Sequence, residues 1–123
     1  MGRPSGARDL VSRVYTPDAG DFIWLTFDPQ AGHEQRGRRP ALVLSPKAYN
    51  ARAGLALACP ITSQVKGYPF EVVVPDGLEI SGAVLCDHVK SLDWMERRAV
   101  FVVKAPPAVL MDVRERLRPL LGY

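Results

Sequence analysis

Six short runs of apolar and β-branched residues, four of them closed within two positions by a proline, constrain this chain more than any other feature. The runs are Phe22–Phe27, Ala41–Leu44, Leu55–Cys59, Phe70–Val74, Gly82–Val89 and Ala99–Val103. None is long enough for a helix of several turns, and their β-branched and aromatic content favours strands. Loops are predicted over residues 29–40 and 61–69. Pro60 is read as halting the third strand, and Pro75-Asp76-Gly77 as joining the fourth and fifth. Ser45-Pro46 is read as an N-cap followed by proline at the first helical position, opening a short helix through Tyr49 that Gly54 ends. The one long helix begins at Pro106-Pro107. Val109, Leu110, Val113, Leu117 and Leu120 form its apolar face, opposite Asp112, Arg114, Glu115, Arg116 and Arg118. Strands that do not alternate with long helices argue against a parallel doubly wound sheet. The expectation is a mainly β domain, a small barrel or strongly curved antiparallel sheet with a C-terminal helix.

A chain of 123 residues is one domain on length. Residues 1–14, rich in Gly, Pro, Arg and Ser, read as a flexible tail, and 15–123 as the folded unit. With 47% hydrophobic residues, a chain of this size buries roughly two-thirds of its unfolded surface, so neither a metal nor a disulfide framework is needed for folding. Cys59 and Cys86 lie in apolar runs and read as buried structural thiols. No apolar stretch follows the basic N-terminus and none is long enough to span a bilayer. A cytoplasmic protein without membrane attachment is expected.

The net charge of +3 is mild, so its distribution matters more than its size. Arg36-Gly37-Arg38-Arg39 places three cations in four residues, and Lys104, Arg114, Arg116 and Arg118 crowd the C-terminal end. Clustered cations raise the case for a phosphate-bearing ligand.

Cleaving RNA without a metal requires a base for the ribose 2′-hydroxyl, a cation or donor for the phosphorane and an acid for the leaving 5′-oxygen. Glu34 in the loop 32–40 can accept a proton, and cations beside it keep it ionised. Arg39 offers a planar fork matched to phosphate oxygens. In the second loop Thr62 and Ser63 supply hydroxyl donors, Gln64 can read a base edge, Lys66 can neutralise phosphate and Tyr68 can stack a base. Taken singly, a solvated basic loop and an ordinary hairpin connection account for the two segments. The histidines suggest an acid–base pair. However, only His33 falls in a candidate loop, while His88 reads as a strand residue. No spacing of His, Cys or carboxylates suits a metal, and no cofactor motif is present.

Three segments together resemble one known family. They are Gly20-Asp21-Phe22-Ile23-Trp24-Leu25-Thr26-Phe27-Asp28-Pro29 with Gly32-His33-Glu34-Gln35 and Arg39–Pro46, then Pro60–Val72, then Ala83–Trp94 with its phrase Asp87-His88-Val89-Lys90-Ser91-Leu92. In order and in spacing these resemble the MazF/PemK (Kid)-type toxins, mRNA interferases of type II toxin–antitoxin systems, over roughly residues 15–121. The resemblance implies an SH3-like barrel of the CcdB/PemK-like toxin fold, a homodimer, and no cofactor. It implies a sequence-specific, metal-independent endoribonuclease that cuts single-stranded mRNA, not DNA, to 2′,3′-cyclic phosphate and 5′-hydroxyl ends. A MazE-type antitoxin with a disordered acidic tail would neutralise it. By position Arg39 matches the family's catalytic arginine, Thr62 its catalytic threonine and Glu34 an assisting carboxylate. Arg36, Arg38, Ser63, Gln64, Lys66 and Tyr68 fall where RNA is bound. His88 departs from the glutamine common in relatives, and Arg38 from a histidine found in some, so no relative's target sequence carries over.

Two rivals remain. The same fold serves CcdB-like toxins that bind a topoisomerase without cutting RNA, and a barrel of this kind could bind RNA without turnover. Arg39 and Thr62 occurring together favour the nuclease.

Overall fold

The computed structural model describes residues 14–27 and 37–123. The element order is β1 (Asp21–Thr26), β2 (Arg38–Val43), α1 (Lys47–Ala53), β3 (Leu55–Thr62), β4 (Glu71–Val73), β5 (Ala83–Leu85), a 3-10 turn (Cys86–His88), β6 (Lys90–Asp93), β7 (Val100–Lys104) and α2 (Pro107–Leu120). All strand pairings are antiparallel, in the order β4-β5-β3-β2-β1-β7, with β6 branching from β3. The class and the terminal helix are as expected. The described pairings form an open path from β4 to β7, without a hydrogen-bonded closure between those ends.

β3 organises this branch. Its Leu55–Ala58 stretch pairs with β6, and Ile61 and Thr62 pair with β5. Cys59 and Pro60 fall in the gap between the two partners. That explains a correction: Pro60 does not end the strand, because a missing N–H costs little where that edge carries no ladder. β2 likewise begins earlier than its apolar pattern suggested, so Arg39 lies on a strand rather than in a loop. The run 82–89 is not one strand. It breaks at Cys86 into the 3-10 turn, and β6, too polar to be read from sequence, follows.

Ser45 is no helix cap either. The helix boundary is Pro46, without a side-chain cap, and the helix runs beyond Tyr49 to Ala53. Ser45 instead donates its hydroxyl to Asn50 Oδ1 at 2.5 Å and accepts the Leu57 N–H at 2.8 Å, tying α1 to β3.

The unbroken apolar character of β1 follows from burial on both faces. Phe22 packs with Leu42, Cys59, Ile61, Val84, and Val109, Val113 and Leu117 of α2. Ile23 and Leu25 face the other way, onto Ala41, Val43, Ala56, Ala58 and Trp94. Trp94 is buried and donates its indole N–H to the Asn50 carbonyl at 2.9 Å. It therefore supplies core. Cys59 and Cys86 are free and buried, and burial pushes their thiols up to about 12 and about 11. They are structural, as their setting suggested.

Candidate active site

Two strands distant in sequence converge on one cleft. β2 and β3 pair through Val43–Ala58, Leu42–Cys59 and Ala41–Pro60. Beyond that pairing, Arg39 near the start of β2 and Thr62 at the end of β3 both line a cleft of about 920 Å³. Side-chain direction in a strand has period two, so a slip of one residue would turn Arg39 away.

Thr62, the last residue of β3, is held by two features. It pairs with Ala83 of β5, and Gly82 lies so close that a Cβ there would sit 1.9 Å from the Thr62 carbonyl oxygen. Gly82 also has φ +116°, a backbone state that glycine adopts freely. Its small size lets the turn bearing Glu79 and Ser81 close over the end of β3. Thr62 Oγ1 accepts the Gln64 backbone N–H at 3.1 Å. With that lone pair occupied, the hydroxyl proton remains available as a donor.

Ser63 and Gln64 line the same cleft. Arg38, Lys66 and Tyr68 are exposed nearby but are not lining residues. Arg38 stacks its guanidinium over Trp24, 5.1 Å from the ring centroid, and Trp24 forms part of the wall. Lys66 stands 5.9 Å over the Tyr68 ring. Glu34, Arg36 and His33 lie outside the described residues.

Sequence reasoning missed part of the cleft lining. His88, set aside as a strand residue, closes the 3-10 turn and lines the cleft with Lys90, Glu79 and Ser81. A turn interrupting an apolar run leaves no signal in periodicity. It also missed Glu71. This buried carboxylate accepts the backbone N–H groups of Lys66 at 3.0 Å and Gly67 at 2.8 Å, fixing the loop that carries Lys66 and Tyr68. Arg116 of α2 holds the far end of that loop by donating to the Pro69 carbonyl at 2.6 Å. A lone glutamate inside the run Phe70–Val74 was the available clue, since buried charge needs dedicated partners.

The cleft thus presents a guanidinium, a hydroxyl donor, an imidazole, an ammonium and a carboxylate around apolar and aromatic walls. That donor set suits a phosphodiester flanked by bases.

A model described as PemK-like, MazF-like toxin of type II toxin–antitoxin system matches residues 18–121. The endoribonuclease toxin MazF of Escherichia coli strain K12 is 48% identical over 113 residues, spanning 92% of this chain and 100% of that protein. The endoribonuclease PemK of Escherichia coli is 31% identical over 118 residues, spanning 93% and 89%. A crystal structure of MazF from Deinococcus radiodurans superposes with a TM-score of 0.79 at 61% identity, over 89% of this chain and 99% of that one. MazE–MazF from the same organism gives 0.79 at 56% identity, over 88% and 97%.

Proposed function

This chain belongs to the PemK-like, MazF-like toxin family and is an endoribonuclease, and from that premise we propose that it cuts single-stranded mRNA at specific sequences without a metal, leaving 2′,3′-cyclic phosphate and 5′-hydroxyl ends. The observation that carries this reading is the meeting of Arg39 and Thr62, 23 positions apart in sequence, on one cleft.

A phosphodiester carries one negative charge and its phosphorane approaches two. A guanidinium against the equatorial oxygens therefore gains interaction on the way to the transition state. Thr62 adds a hydroxyl donor on the other side. Glu34 serves as the base for the 2′-hydroxyl. Ser63 and Gln64 contact the chain next to the scissile phosphate, while Arg36, Arg38, Lys66 and Tyr68 hold the strand beyond it. A topoisomerase-binding toxin would have no use for an arginine and a threonine converging on a cleft of this size.

Two partners go with this reading. The MazE–MazF complex of Deinococcus radiodurans supports a MazE-type antitoxin here, whose acidic tail would compete for the same basic cleft. Exposed Leu55, Leu57, Val100 and Phe101 support a homodimer. Light scattering at micromolar concentration should give twice 13.5 kDa, and a monomeric mass would remove the dimer.

The deciding experiment incubates purified protein with a long RNA in excess EDTA and maps the ends. Discrete cuts with 2′,3′-cyclic phosphate and 5′-hydroxyl termini are expected. Activity that vanishes in EDTA and returns only with magnesium would overturn the metal-free chemistry, and intact RNA under all conditions would overturn the nuclease.

A further inference from the structure

Among the described residues, the ionisable side chains lining the cleft are Arg39, Glu79, His88 and Lys90. Of the four, only the imidazole of His88 carries a donor and an acceptor nitrogen on one ring. Its side chain is 57% exposed, so it can recover a proton from solvent after each turnover. The turn that carries it is anchored by buried Cys86 and packs against both α2 and β3.

We propose that His88 is the proton donor to the leaving 5′-oxygen, acting in the cleft that Arg39 and Thr62 also line. This rests on the endoribonuclease reading above. As the 2′-oxygen bonds to phosphorus and gives its proton to the base, the bond between phosphorus and the 5′-oxygen breaks. The electron pair goes to the 5′-oxygen, which takes a proton from the imidazolium. The products are a 2′,3′-cyclic phosphate, a 5′-hydroxyl and a neutral imidazole that reprotonates from water.

Charges of both signs surround the ring. Asp87 Oδ1 lies 3.9 Å from His88 Nε2, and Glu79 lines the same cleft. Cations oppose them: Arg39 and Lys90 in the cleft, and Arg116 on α2, whose charge, with those of Asp87 and Asp112, is felt at neighbouring Cys86. β3 carries no charged side chain.

The test uses a short RNA spanning a mapped cut site, and a second copy with sulfur in place of the bridging 5′-oxygen at that site. A thiolate leaves without protonation, since thiols are far stronger acids than alcohols. Single-turnover rates are read at saturating protein. On ordinary RNA, His88→Gln should lower the plateau rate by about 10²-fold or more, the usual worth of a positioned general acid. On the sulfur substrate the loss should shrink to within about 3-fold. Equal losses on both substrates would overturn the proposal. So would an unchanged plateau with only a raised half-saturating concentration, which would make His88 a binding residue. Wild-type cleavage of ordinary RNA sustains the endoribonuclease reading in either case, whereas no cleavage by wild type would sink both.

Discussion

Around Asp21 charged groups have found one another, whereas among the described residues those near Arg39 line a cleft without pairing. Asp21 is buried, and its carboxylate accepts from the Tyr15 hydroxyl, from the Asp18 N–H at 3.0 Å and from Lys104 Nζ at 2.7 Å. Lys104 also donates to the Ala19 carbonyl at 3.1 Å. Burial, followed by the bond to Asp21, pushes the Tyr15 hydroxyl well above its ordinary range, so it stays a donor. In the cleft, Arg39, Glu79 and Lys90 enter no ion pair among the described residues. The two clusters draw on similar residues and differ in what completes them. Charges that neutralise each other in a buried site fix a loop to a strand. Charges left around a cleft wait for a ligand.

That contrast breaks most visibly at Arg39. Arg39→Ala should lower the single-turnover plateau by about 10²–10³-fold, the range for loss of one preorganised donor. RNA affinity and melting temperature should hardly move. Arg39→Lys should not rescue the rate, because a point charge lacks the planar fork. An unchanged plateau with weaker binding would make Arg39 a binding residue.

Asp21→Ala should do the reverse. Losing charged hydrogen bonds in a buried site should cost about 1.5–3 kcal/mol in urea unfolding, with the plateau rate of the folded protein within a few-fold of wild type. A large rate loss without a stability loss would mean that the Asp21 cluster is not merely structural.

Lys66→Ala sharpens the comparison least. An exposed side chain on the loop held by Glu71 and Arg116 should contribute one phosphate contact. Removing it should flatten the slope of log affinity against log salt by about 0.7 and leave the plateau alone. A slope identical to wild type would leave Lys66 outside the interface.

Much of this architecture was legible from residue type alone. The apolar runs located six of the seven described strands, all but β6, and the spacing from Val109 to Leu117 gave the buried face of α2. Arg39 and Thr62 were legible as chemistry and through their family resemblance. Their meeting was not, because strand register is a long-range property and the two lie on strands that periodicity had cut short at Ala41 and Cys59. β6 escaped notice because Lys90, Ser91 and Asp93 are exposed and only Leu92 is partly covered. His88 was misplaced for a related reason. Apolar residues flank Asp87-His88 on both sides in the run 82–89, and contacts with α2 and β3 bend it there.

The claim beneath all of this is that Arg39 and Thr62 act on a single phosphate, and a double-mutant cycle tests it most directly. Single-turnover plateau rates are measured at saturating protein for wild type, Arg39→Ala, Thr62→Ala and the double variant. Thr62→Ala alone should lose less than Arg39→Ala, roughly 10- to 10²-fold, as a neutral donor is the weaker partner. Residues that work as a unit are strongly non-additive, so the double variant should be no more than about 3-fold slower than Arg39→Ala. A double variant whose loss equals the product of the two single losses would show that the residues act independently, and would contradict the assignment of this cleft as one catalytic centre.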